Sequence, residues 1–386
     1  MIIYASACGI IMPRLFPGIT IIVPVGVSAL DPNSASVPLY PVSGNYTQPI
    51  YLITDLICFV IIQVVVRARN GVLTVLWSIV FYCVANIIFA LIDIATFATN
   101  TQFLMDFIRN AQYDFHLDEE INGLKRIAGS FTEASSFAQA TLSTTTFSGT
   151  LWLCGWRPLT TGPIALLSFI LLIMSTSSTG LVGAIPMIGL FYWTALNKAG
   201  ILVPRRQSAA AVLVLPLFLI AVVLLIVSNK SLLNSLSDYL DILIFNKSVS
   251  QSGVERASWN SYAWQSVINT WGVGVGLGTT RASSFALALL SNCGVVGAFF
   301  YIIFLCSTLK NSYEFHGDIV ENVRLAAQNA ALVLLGANLV SGALVDQGLF
   351  FYILVALSSN PGAQRLGGRP IDVYAVAEEA NTATAK

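Results

Sequence analysis

Three arginines, Arg126, Arg256 and Arg281, stand beside or just ahead of long apolar runs, where a permanent charge needs a reason. Guanidinium is planar, always charged and able to hold phosphate through two hydrogen bonds at once, so it suits a pyrophosphate better than lysine does. Arg281 lies within Trp271–Gly297, WGVGVGLGTTRASSFALALLSNCGVVG. Arg256 follows Glu255 in a polar segment that continues to Trp259. Ser252-Gly253 ahead of it can cap a helix, whose first turn would add backbone N–H groups and a dipole favourable to an anion. Arg126 opens RIAGSFTEASSFA, which also holds Glu133. A single arginine beside a bilayer is most simply paired with an acid or a lipid headgroup. Three near the ends of apolar segments predict a site for an anionic, membrane-borne substrate.

The elements that must position them follow from composition. The 386 residues are 56% hydrophobic and 10% charged, against about 25% charged in soluble domains, and mean hydropathy is +0.76. The expected fold class is all-α: a polytopic integral membrane protein, because the apolar runs are continuous and lack the alternation of barrel strands. About ten transmembrane helices are expected, scattered around the ~20 residues a span needs: Phe16–Leu30, Pro49–Val66, Gly71–Asp93, Ser135–Leu153, Thr160–Ser177, Gly180–Leu196, Ala209–Ser228, Ser283–Cys306, Leu325–Gly342 and Asp346–Leu357. The N-terminal stretch, with Arg14 between Pro13 and Pro17, reads as a first span rather than a removed signal peptide. Residues 1–370 are expected to form one transmembrane domain, with 371–386 a disordered tail.

Arg67 and Arg69, Arg157, Lys198 with Arg205 and Arg206, Lys310 with Arg324, and Arg365 with Arg369 fall in alternate loops. The positive-inside rule makes these loops and both termini cytoplasmic. Two longer loops then lie outside, at about residues 94–134 and 229–282, and carry the three arginines. In the first, Leu117, Ile121 and Leu124 recur at helical spacing and predict a short helix on the membrane surface. Zero formal net charge offers no field for nucleic acid.

Other motifs carry less. Gly272, Gly274, Gly276 and Gly278 lack the strand–turn–helix setting of a dinucleotide site and read as a turn that brings backbone close to a substrate or a helix. There is no P-loop, and His116 and His316 fall on opposite sides of the membrane, so they build no shared metal site. The six cysteines read as small apolar residues. Asp55, an acid inside a span, is either functional or satisfied by a local hydrogen bond. Ser175–Gly180 marks a tight reversal or a polar glycan contact.

The order of RIAGSFTEASSFA, the SSTG turn, ERASW, GVGLGTTRASS and GVVG, from Arg126 to Tyr301, resembles the O-antigen ligase and O-antigen polymerase superfamily of bacterial inner-membrane glycosyltransferases. The resemblance implies a periplasmic site for an oligosaccharide on undecaprenyl pyrophosphate, with Arg126, Arg256 and Arg281 gripping the pyrophosphate and no metal, nucleotide sugar or other cofactor. It implies membrane lipids, a flippase and a chain-length regulator as partners. Family ligases carry a histidine, then Asn, Ser or Gln, then nine residues and Gly-x-x-Gly. Here Ser283-Ser284 precedes Gly294-Val295-Val296-Gly297 at that spacing, and serine stands for the histidine. A serine hydroxyl is a poor general base, which favours a polymerase over a ligase and leaves an inactive member open.

Under that reading Glu133 is the preferred base and Glu255 the second, although Glu255 can equally pair with Arg256. Trp259, Tyr262 and Trp264, with Trp271, can line a glycan site or form an interfacial belt. The alternatives from other classes are a transporter or flippase for an anionic lipid-linked glycan and a non-catalytic scaffold in an export complex.

Overall fold

The computed structural model describes residues 1–28, 30–31, 34–109, 120–121, 124–199, 206–230, 233–234, 237, 241, 251–309 and 319–359. They form an all-α membrane protein: α1 Ile2–Leu15, α2 Gly44–Arg67, α3 Gly71–Ala98, α4 Ala134–Leu153, α5 Pro158–Met174, α6 Ser178–Lys198, α7 Arg206–Ser228, α8 Gln251–Asn269, α9 Phe285–Leu309, α10 Ile319–Ser341 and α11 Leu349–Ser358. Six of these, α2, α3, α6, α7, α9 and α10, are long and apolar enough to cross a membrane. Among the described residues these six are fewer than the ten spans expected. Helix α5 has 17 residues, and α11 has 10, about 15 Å of rise against a hydrocarbon core of about 30 Å.

Helix α4 occupies the centre and explains its own composition. It packs against α5, α6 and α10, and nearly all of its side chains are buried. Small Ser, Thr and Ala residues let neighbouring helices approach closely where no hydrophobic difference between lipid and protein drives them together. Several of the hydroxyls are closed locally or across helices: Thr146 donates to the Leu142 carbonyl at 2.6 Å and Ser148 to that of Thr144 at 2.7 Å. Asn86 of α3 donates to Thr141 at 3.0 Å, and Asn329 of α10 to Thr150 at 3.2 Å and Thr194 at 3.0 Å. Helix α7 is the opposite case, with Leu213, Leu217, Leu224 and Val227 all outward as on a lipid-facing helix.

The expected first span, Phe16–Leu30, is not a helix. Its β-branched residues pair as β1 (Ile21–Ile22) with β2 (Val37–Pro38), antiparallel. Pro17 and Pro24 cannot donate to a helix, and Ile and Val suit extended chain. The helix lies earlier, in α1, and ends where Arg14 donates to the Ile10 carbonyl at 2.6 Å and the Tyr46 hydroxyl at 3.0 Å. The expected surface helix through Ile121 and Leu124 is also corrected: Glu120–Ile121 (β3) pairs antiparallel with Leu124–Lys125 (β4). The dipeptide between them in sequence is Asn-Gly, which favours two-residue hairpin connections. Leu117 and both histidines lie outside the described residues, as do Lys310, Arg365, Arg369 and the tail.

The glycine-rich turn docks on a helix. Gly294 (φ 66) interrupts α9, and the carbonyls this frees are reused: Ser291 accepts the Val275 N–H at 2.8 Å and Asn292 that of Gly276 at 2.9 Å, while Val295 donates to Gly272 at 2.9 Å. Gly274 has φ 90, and a Cβ there would lie 2.7 Å from the Gly294 nitrogen. Only glycine allows this approach.

Bonds between helix ends, Gln63 to the Ala356 carbonyl, Lys198 to Asn322 and Ser208 to the Leu153 carbonyl, bring the segments of Arg67, Arg157, Lys198, Arg206 and Arg324 to one end of the bundle. There Arg157 lies over Trp77, 5.0 Å from the ring centre, and Arg324 donates to the Ser358 carbonyl at 3.3 Å. The start of α4, α8 and the start of α9 lie at the other end.

Candidate functional site

Construction of the site begins with Asp93, near the end of α3. Its side chain is fully buried, with Arg109 Nη2 at 2.7 Å and Lys125 Nζ on the same oxygen. The other oxygen accepts the N–H groups of Ala128 and Gly129, both at 2.9 Å. Arg109 also donates twice to the Gly129 carbonyl, at 3.2 and 2.6 Å. Two cations and two amides on one carboxylate satisfy it almost completely, as a buried charge requires. The segment Lys125–Gly129 is thereby clamped to α3, and the chain leaves it toward Glu133 and α4.

Glu133 is the N-cap residue of α4 by backbone geometry (φ −151, ψ 159). Its carbonyl accepts the Phe137 N–H at 3.2 Å, and its carboxylate accepts the Ser135 hydroxyl. Arg256 comes to this helix start from α8: Nη2 lies 3.4 Å from Ser135 Oγ and 3.9 Å from Glu133 Oε1. The Arg256 and Glu133 side chains remain 28% and 41% exposed, so the pair is wet and open to exchange with a ligand.

Helix α8 presents Arg256, Asn260 and Ala263 along one face, at the three- and four-residue spacing of a helix. Ala263 is buried against Ala282 and Ala288. Asn260 Oδ1 accepts the Ser283 N–H at 2.7 Å. Arg281 lies over the Trp259 ring, 5.3 Å from its centre. Its own backbone is held on both sides: Arg281 donates to the Val23 carbonyl at 2.9 Å, and Asn292 Oδ1 accepts the N–H groups of Thr279 and Thr280 at 3.0 and 3.2 Å. Trp259 follows Arg256 by three residues, about 4.5 Å along a helix, so Arg256 and Arg281 share one edge of α8. The Arg281 Nε is buried with no protein partner. Such a donor is available to an anion.

The remaining expected residues are distributed as follows. Arg126, half-buried, stands in the Asp93-clamped segment. Glu255 is exposed, and the acid that meets Arg256 is Glu133 instead. Tyr262 is half-buried, Trp264 is 51% exposed and Trp271 is 90% exposed. Ser283 and Ser284 open α9, with Ser284 accepting the Ala288 N–H at 2.8 Å. Ser252 and Gly253 fall inside α8, which already runs from Gln251, so they do not cap it and Arg256 is not in its first turn. The helix start beside Arg256 is that of α4.

Asp93, Ser135, Asn260 and Asn292 were not singled out from the sequence. Asp93 alone offered a signal, an acid at the end of an apolar run. The arrangement as built can bind an anion between two guanidinium groups, with a carboxylate beside it. The chain matches no protein-family model, no curated protein and no solved structure.

Proposed function

We propose that the protein is a membrane glycosyltransferase that polymerises oligosaccharide units carried on a lipid pyrophosphate, with Arg256 and Arg281 holding the pyrophosphate and Glu133 acting as base. The observation that carries this reading is that Arg256 lies against Glu133 while Arg281 lies over Trp259, three residues further along α8, so that residues from three separate segments come to this helix. The positive-inside rule gives the opposite, arginine-rich end to the cytoplasm and this edge to the periplasmic face of a bacterial inner membrane.

In the reaction, the acceptor hydroxyl oxygen attacks the anomeric carbon of the donor and the bond from that carbon to the phosphate oxygen breaks. The pyrophosphate lipid leaves with the bonding electrons, and the hydroxyl proton passes to Glu133. The guanidinium groups stabilise the charge that grows on the leaving oxygen. No metal or cofactor enters this scheme. Ser283 has a positioning part in it, since its N–H ties the start of α9 to Asn260.

The test is elongation of a synthetic pyrophosphate-lipid-linked repeat unit by the purified protein in nanodiscs with chelator present. Arg256→Ala is expected to lose product by tenfold to a hundredfold or more, as for loss of one charge-assisted hydrogen bond of about 1.5–3 kcal/mol. Arg256→Lys is expected to rescue poorly. Wild-type elongation by Arg256→Ala would overturn the assignment. Glycan movement across the vesicle bilayer without elongation would favour the transporter reading.

A further inference from the structure

Outside that site the bundle holds a second group of ionisable side chains. Asp55, in the middle of α2, is buried, and its carboxyl lies within hydrogen-bonding reach of that of Asp346, in the reversal between α10 and α11. Among the described residues, neither acid has a basic partner. Asp346 Oδ1 is fixed by the Gly348 N–H at 2.6 Å, and Asp55 Oδ2 is buried without a hydrogen bond.

A second observation points to the same place. Tyr301 of α9 is 1% exposed, its hydroxyl has no partner, and it lies within electrostatic reach of both carboxyls. The other titratable groups near the pair are Tyr352 of α11 and Cys58 of α2. Neither is a cation. The surrounding wall is apolar, with Leu52, Phe285, Leu289 and Val345 packed in one cluster with Tyr301. Asp55 is buried and Asp346 half-buried, and two neighbouring carboxyls in an apolar pocket with no cation beside them favour a positive charge between them.

We propose that the Asp55–Asp346 pair, with the Tyr301 hydroxyl, is a binding site for one monovalent positive charge, a proton or an alkali-metal ion, which ties α2 to the reversal ahead of α11. The Ala343 carbonyl, in that reversal, accepts the Ala282 N–H at 3.3 Å. Ala282 is the residue between Arg281 and Ser283, so occupancy of the acid pair reaches the backbone on which Arg281 is carried. The proposal does not depend on the glycosyltransferase reading.

The experiment is thermal unfolding of the full chain in nanodiscs across pH, with choline, sodium, potassium or magnesium chloride at constant ionic strength. In choline, wild type is expected to lose stability as pH rises above the ordinary carboxylate range. The folded pair then holds a proton that the unfolded chain has released, and the unfolding equilibrium shifts by up to about tenfold per pH unit. Restoration of stability at high pH by sodium or potassium identifies the alkali ion, and its absence identifies the proton. Asp346→Asn and Asp55→Asn, neutral and able to donate to the remaining carboxyl, are expected to flatten both dependences. Should Asp55→Asn fail to insert, the infrared carbonyl band of a protonated carboxyl is followed in wild type against Asp346→Asn. Parallel pH and salt profiles for wild type and Asp346→Asn would overturn the proposal, as would restoration by magnesium alone.

Discussion

Replacing Asp93 with alanine removes the one acceptor shared by Lys125, Arg109 and the amides of Ala128 and Gly129. Arg109 keeps its bonds to the Gly129 carbonyl, but its buried guanidinium loses the carboxylate that faces it. Breaking a buried ion pair by deleting one partner costs about 3–5 kcal/mol, and each orphaned buried amide adds about 1–3 kcal/mol when water cannot reach it. These terms share one carboxylate and do not add in full, so about 4 kcal/mol is the working figure. That is a large part of the ~5–15 kcal/mol holding a typical fold. The expected response is local, because the clamp joins the Lys125–Gly129 segment to α3 while α4 is buried by its own neighbours. Hydrogen exchange in nanodiscs reads it directly. The Ala128 and Gly129 amides are expected to exchange about a thousandfold faster in Asp93→Ala, the equivalent of about 4 kcal/mol, and trypsin is expected to cut after Lys125 or Arg126. Asp93→Asn keeps an acceptor for the amides and loses the charge, so it is expected to fall between. Wild-type protection of Ala128 and Gly129 in Asp93→Ala would refute the clamp.

Four other outcomes are expected. Reporter fusions at Gln102 and Ser250 are expected on the periplasmic side and fusions at Asn197 and Ser312 in the cytoplasm; a cytoplasmic Ser250 would remove the basis for an external substrate. Gly294→Ala, at φ 66 and with a Cβ that would lie 2.5 Å from the Gly272 carbonyl oxygen, is expected to cost about 1–3 kcal/mol or more and to lower the unfolding temperature, an unchanged midpoint counting against the zipped turn. Trp259→Leu, which removes the ring beneath Arg281, is expected to weaken binding of a pyrophosphate lipid by about two- to thirtyfold, the equivalent of 0.5–2 kcal/mol, with Trp259→Phe nearer to wild type; equal affinity for all three would show that the stack plays no part. Glu133→Gln is expected to retain the lipid-linked donor but lose most elongation, and full elongation would remove Glu133 as the base.

Much of the fold was open to inspection in the residues, for a physical reason: continuous apolar runs have few solutions other than helices in a bilayer. Where reading failed, hydropathy alone was the guide. Phe16–Leu30 has the apolarity of a span, but its prolines and β-branched residues form β1 and a bridge from Pro24 to Thr280. Ile121 and Leu124 keep a helical spacing over too short a stretch, and pairing across a two-residue connection suits them better. Ser135–Leu153 reads as one more span by length and apolarity, and its serines and threonines mark the most enclosed helix among the described residues.

The site was less legible, because charge identifies an arginine and only tertiary tethers say where it goes. Arg281 is placed by Val23, just after β1, by Asn292, within α9, and by the turn that Gly274 and Gly294 allow. Arg256 is placed by the face of α8 that buries Ala263, and meets Glu133 because Asp93 clamps the loop before it. None of these anchors carries the expected chemistry itself. Asp93, Asn260, Asn292 and the Val23 carbonyl are an acid consumed by its own partners, two neutral amides and a backbone carbonyl, and in a sequence none but Asp93 stands out from its neighbours. The glutamate nearest Arg256 in the chain, Glu255, gives way to one more than a hundred residues away, which no reading of local spacing would select. Perturbing the anchors while leaving both arginines intact therefore separates a site built by tertiary tethers from a merely cationic surface: the first loses ligand with Asn260→Ala or Asn292→Ala, and the second does not.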